Sequence, residues 1–156
     1  MKIFIPLTLL LATALTYAAD PNMPHNADAM WLEDCPIQLT TENLDHTIGY
    51  KFNVTVWVNL TFICGAWQFK MIYNNAHLTA TGAGYTAGSK SDFFNNISAV
   101  IPVAPIFDSY NATHDYVLHG ESALFQPFRK PGYGSLSWVE FEVVAEPPSG
   151  EILTSS

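Results

Sequence analysis

Residues Lys51–Phe62 read KFNVTVWVNLTF: Phe52, Val54, Val56, Val58, Leu60 and Phe62 fall at every second position, with Asn53, Thr55, Trp57, Asn59 and Thr61 between them. Strict alternation of this kind marks a β-strand with one face on a core and the other in water. Trp57 stands on the wet side. On either side of it, Asn53 and Asn59 each open an Asn-X-Thr sequon, the acceptor pattern for N-glycosylation in an exported protein. Trp57 reads as a cross-strand packing aromatic that shields its sheet, with a role in binding a partner as the alternative.

Working outward, Trp31–Thr40 reads as a preceding strand and Ala66–Tyr73 (AWQFKMIY) as a following one, with Trp67, Phe69, Met71 and Tyr73 alternating against Gln68, Lys70 and Ile72. Further strands are expected at Phe93–Val103, ending near a proline, at Tyr116–Leu124 and at Leu136–Val144, with a short edge strand at Glu151–Thr154. The glycine-rich run Ala80–Gly88 (ATGAGYTAG) and the stretch Leu124–Gly134 (LFQPFRKPGYG) read as turn and loop. Short strands rich in Thr, Tyr, Phe and Val, with few helix signals, predict an all-β, two-sheet β-sandwich of about nine strands.

Before these strands, residues 1–19 carry Lys2, an apolar run from Ile3 to Leu15, and small residues Ala18 and Ala19 ahead of Asp20. That is the pattern of a cleaved secretory signal peptide and is too short for a membrane span. Residues 20–30 read as a flexible lead-in and 31–156 as one domain. Without Lys2 the chain has five basic against 14 acidic side chains, a net charge of −9. A negative field of that size disfavours nucleic acid and anionic lipid as partners. In an oxidising compartment the two cysteines, Cys35 and Cys64, are expected to pair, closing a loop of about 29 residues worth roughly 3–4 kcal/mol. Further sequons open at Asn96 and Asn111.

No catalytic constellation emerges from the chain. The histidines His25, His46, His77, His114 and His119 are scattered, so no metal site is expected. Glu140 and Glu142 have spacing for neighbours on one strand face but no sequence feature that builds a cleft around them. The glycine-rich run lacks the Lys-Ser/Thr and helix of a phosphate loop. The chain reads as a non-enzyme with no cofactor.

Four stretches then share a vocabulary: KFNVTVWV (51–58), GAWQFKMIYNNAHLTATGA (65–83), DYVLHGESALF (115–125) and GSLSWVEFEVVAEPPSGEILT (134–154). In this order they resemble the cohesin domain, in particular the cohesin-like domains of archaeal surface proteins, which are related to cellulose-binding-module sandwiches. The chain departs from that pattern at Phe62–Cys64, at Asn75 and in the long Leu124–Gly134 loop. The resemblance implies a jelly roll in which Lys51–Phe62 belongs to the sheet holding the chain ends. It implies that Ala66–Tyr73, Phe93–Val103, Tyr116–Leu124 and Leu136–Val144 form the other sheet, which binds a dockerin-type protein segment. Strand alternation on that sheet turns Gln68, Lys70, Ile72, Val117, His119, Glu121, Trp138, Glu140 and Glu142 outward as the expected partner-binding patch, centred on Trp138, with Tyr116, Leu118 and Gly120 inward. The expected function is a secreted interaction module at or near the cell surface. Binding of polysaccharide through Trp57 or Trp138, and assembly into a surface layer or filament by strand addition through residues 20–30, are the alternatives.

Overall fold

A computed structural model describes residues 28–32, 38–39, 47–124, 131–146 and 153–154, with backbone alone at 38–39 and 153–154. Nine strands run through these residues, and no helix occurs among them. In chain order they are β1 (Ala29–Leu32), β2 (Gln38–Leu39), β3 (Lys51–Leu60), β4 (Ala66–Asn74), β5 (Leu78–Tyr85), β6 (Val100–Ser109), β7 (His114–Ala123), β8 (Gly132–Val143) and β9 (Leu153–Thr154). All pair antiparallel, in a four-stranded sheet of order β1-β3-β8-β5, a three-stranded sheet of order β4-β7-β6, and the small pair β2-β9. The described residues are thus all-β, with the two larger antiparallel sheets sharing one core.

The alternation in Lys51–Leu60 explains why β3 is central. Val54, Val56 and Val58 are buried, and β-branched side chains with fixed rotamers pack well on a pleated surface. They meet Val139 and Phe141 of β8 on their own sheet and Phe69, Met71 and Val117 of the other sheet within one apolar cluster. Tyr73 of β4 packs edge-on against Phe141 of β8 at 5.1 Å, tying the sheets together.

Several expectations need correction. The strand expected at Trp31–Thr40 is two elements, β1 and β2, and β1 begins at Ala29, inside the segment expected to be flexible. The run Ala80–Gly88 is largely strand, since β5 extends to Tyr85; its glycines accommodate a neighbouring ring, described below. Phe93–Val103 is not one strand. Phe93–Asn96 forms a turn that buries Phe93 and Phe94, and β6 starts only at Val100. β8 begins at Gly132, within the expected loop.

The largest correction concerns β8. Leu136–Val144 was expected beside the other partner-face strands, yet β8 pairs along its length with β3, from Lys51 opposite Glu142 to Leu60 opposite Gly132. Trp138 and Trp57 therefore belong to one sheet. A β-bulge between Val56 and Trp57 shifts the register there. The signal-peptide residues and Cys35 lie outside the described residues. Cys64 is a free, buried thiol that donates to the Ala66 carbonyl at 3.2 Å, and burial pushes its pKa up.

Candidate functional site

Three surfaces and one buried cluster bear on function. Register fixes which side chains share each surface.

The outer face of the four-stranded sheet carries Trp31, Trp57 and Trp138. Trp31 and Trp57 are directly opposed across β1 and β3, and their rings stack at 6.4 Å with planes 17° apart. On β8, Trp138 lies over β5 at Gly82 and Gly84; a methyl added at Gly84 would sit 2.8 Å from the ring, so the absence of a side chain there lets the indole lie flat. All three indoles are half-buried. Beside them Lys51 reaches Glu140 at 3.4 Å and Glu142 at 3.6 Å, and Thr81 donates to Glu140. The Thr81 hydroxyl, and Lys51 beside it, hold the Glu140 carboxyl below the usual carboxylate range. Asn53 and Asn59 stand on the same face, exposed and half-buried respectively.

The outer face of the three-stranded sheet differs. From β4 it receives Gln68, Lys70 and Ile72; from β7, Tyr116, Leu118 and Gly120; from β6, Ile101, Val103, Ile106 and Asp108, each set paired in register. Ile101, Val103 and Ile106 are 47%, 42% and 46% exposed, an apolar stripe on an edge strand. Lys70 caps one side, its ammonium 4.4 Å from the Tyr116 ring and 5.9 Å from that of Tyr110, and the Tyr116 hydroxyl donates to Asp108. Pro102 and Pro105 remove two backbone donors from β6, which blunts pairing with a further strand.

Val117, His119 and Glu121, expected on this outer face, point inward at 0%, 1% and 2% exposure. The phase of β7 is opposite to the one expected, because its buried side includes two polar side chains with partners. Glu121 accepts from the Trp67 indole at 3.1 Å, the Ser91 amide at 3.1 Å and the Ser91 hydroxyl, which satisfies a carboxyl that would otherwise be costly to bury. The His119 ring packs 4.4 Å from that of Tyr85 and edge-on to Trp67 and Phe69. The Ser137 hydroxyl lies 2.9 Å from the Gly84 carbonyl and is hydrogen-bonded to Nδ1 of His119 at 2.8 Å. Nε2 makes no well-formed hydrogen bond. Burial lowers the His119 pKa, offset only in part by the Val103 backbone. Nearby, the Tyr85 hydroxyl donates to the Gly120 carbonyl at 2.7 Å and accepts the Val103 amide at 2.7 Å, pinning β6 to β7 beside its bulge between Val103 and Ile106.

Thus Gln68, Lys70 and Ile72 share one face; Val117, His119 and Glu121 are core; and Trp138, Glu140 and Glu142 belong to the other sheet. Buried as they are, His119 and Glu121 present no cation site on the surface. No group of three or more His, Cys, Asp or Glu that could hold a metal occurs among the described residues. A cavity of about 50 Å³ between β1, β3 and β4, lined by Met30, Leu32, Val56, Phe69 and Met71, is far below the roughly 300–1,000 Å³ of small-molecule sites. No helix of the described residues is long and apolar enough to cross a membrane.

The sequence reading missed Ile101, Val103, Ile106, Tyr116 and Leu118. The signal for the three β6 residues was the apolar run VIPVAPIF (100–107), which its prolines disguised as a strand end. No protein-family model, curated protein or solved structure matches the chain.

Proposed function

We propose that the chain is a secreted, non-catalytic module of cohesin-like, jelly-roll type that docks a protein partner on the outer face of β4-β7-β6. The observation that carries this reading is the row Ile101, Val103 and Ile106, each more than two-fifths exposed, on a sheet face that also carries Gln68, Lys70 and Asp108. Contiguous exposed apolar side chains with a polar rim are the makeup of an interface core. Because Pro102 and Pro105 interrupt the donors of β6, the partner packs on the face and does not extend the sheet as a new strand. By the cohesin resemblance the partner is a dockerin-type segment with an apolar helix face.

The test is capture from the source's secreted fraction with three baits: the wild-type chain, Val103→Asp/Ile106→Asp, and Trp138→Ala. The first and third are expected to retain the same partner and the second to lose it. Loss with Trp138→Ala alone would place binding on the other sheet. A second reading, carbohydrate binding, is favoured by one observation: Trp31, Trp57 and Trp138 share a single sheet face. Retention on insoluble polysaccharide that disappears with Trp138→Ala would support it.

A further inference from the structure

We propose that the outer face of β1-β3-β8-β5 is the bed for the chain's own N-glycans, attached at Asn53 and Asn59 and packed on Trp57 with Trp31 and Trp138 to either side. This rests on the exported reading above. Both asparagines leave β3 on the same side as Trp57. Along the strand Asn59 is roughly 7 Å and Asn53 roughly 13 Å from Trp57, at about 3.3 Å per residue.

Register supplies the flanking rings. Asn53 is opposite Glu140 and Thr55 opposite Trp138, so Trp138 is the diagonal neighbour of Asn53; Asn59 is opposite Ala29 and Trp57 opposite Trp31, so Trp31 is the diagonal neighbour of Asn59. Diagonal neighbours are about 7–8 Å apart, within reach of aromatic side chains. Each attachment nitrogen therefore has an indole close by, and the apolar C–H face of a pyranose stacks on such rings. Thr55, Thr81 and Glu140 border the rings and offer hydrogen bonds to hydroxyls. Ala29, with its small side chain, leaves lateral room opposite Asn59. A tethered sugar also has an effective concentration in the millimolar range, so stacking too weak to hold free polysaccharide holds the attached glycan.

The sequons close on folding. Thr61, the hydroxyl residue of the Asn59 sequon, gives its amide to Asp28 at 2.8 Å and its hydroxyl to the same carboxylate at 2.7 and 2.8 Å. Asn53 lies inside the β3-β8 ladder. Transfer thus precedes docking of β1. In that step the asparagine amide nitrogen attacks C1 of a lipid-pyrophosphate-linked oligosaccharide. The C–N bond forms, the C1–O bond breaks with its electron pair left on the lipid pyrophosphate, and the amide proton passes to a base of the transferring enzyme. Asn96 and Asn111, exposed on loops outside this face, serve as internal controls.

The experiment expresses the full chain in a eukaryotic secretory host. Glycopeptide mass spectrometry reads occupancy, and thermal midpoints and indole emission are compared before and after enzymatic removal of glycans from the folded protein. Asn53 and Asn59 are expected to be occupied. Their removal, or Asn53→Gln/Asn59→Gln, should lower the midpoint by about 3–6 °C and red-shift emission, whereas Asn96→Gln/Asn111→Gln should do neither. In Trp57→Leu the shift on glycan removal should largely vanish. Glycans at Asn96 or Asn111 with Asn53 and Asn59 empty would overturn the proposal and leave the exported reading standing; failure of export would overturn both. An undiminished shift in Trp57→Leu, or tight binding of added polysaccharide by the glycosylated protein, would also overturn it.

Discussion

The outer faces of the two sheets follow one alternation and end differently. On the four-stranded sheet the solvent-side positions hold indoles that lean on one another or on glycines, and Lys51 sits against Glu140 and Glu142. That face largely covers itself. On the three-stranded sheet the equivalent positions of β6 hold Ile101, Val103 and Ile106, with two-fifths or more of each side chain in water. Large side chains on a wet face are therefore not equivalent: those with neighbours shield a sheet, and those without them offer it to a partner.

The comparison breaks first if the phase of β7 is wrong. With Glu121 inward, Glu121→Leu strips the acceptor from the Trp67 indole and the Ser91 amide and should cost about 3 kcal/mol in urea unfolding. An outward position would leave the change within about 0.5 kcal/mol. Gly84→Ala sharpens the picture of the self-covered face: its methyl collides with Trp138, and a loss of about 2 kcal/mol with red-shifted indole emission is expected.

The buried imidazole gives a pH signature. Its folded pKa lies below the unfolded value of about 6.5, so the neutral ring contributes stability fully above that value, and the contribution is lost as pH falls below it. Wild-type unfolding free energy should decline as pH falls below about 6.5, with a slope of up to about 1.4 kcal/mol per pH unit from this group. The groups facing His119 are Tyr85 and Ser137, with Glu121 two residues along the same side of β7. His119→Gln should flatten that slope.

Trp57→Ala removes the stacked pair with Trp31 and should cost about 1 kcal/mol, visible in near-ultraviolet circular dichroism. The smallest effect is expected on the open face. Val103→Thr and Ile106→Thr should each change stability by less than about 0.5 kcal/mol while weakening partner binding. Large losses there would mean that the stripe is structural.

The legible part of the molecule was the part that local periodicity dictates. β3 and β4 read correctly because their apolar residues fall every second position, so the outward setting of Trp57, Gln68, Lys70 and Ile72 followed from the sequence alone. Sheet membership did not follow. Pairing of β8 with β3 depends on residues more than seventy positions apart, and the family analogy placed β8 on the wrong sheet. β7 defeated polarity reasoning because Tyr116 and Leu118 look more apolar than His119 and Glu121; only the buried partners, Trp67 on the adjacent strand, Ser91 in the connection after β5 and Ser137 on the opposite sheet, make the second set the buried one. β5 and β6 were disguised by residues that serve packing, glycines under Trp138 in one and prolines at an edge in the other.

Amide hydrogen exchange of the chain with and without its captured partner tests docking on the three-stranded sheet directly. Added protection is expected along Val100–Ser109 and in the adjoining Ala66–Asn74 and His114–Ala123, with Lys51–Leu60 and Gly132–Val143 unchanged. Protection confined to Lys51–Leu60 and Gly132–Val143 would contradict it and move the binding site to the aromatic face.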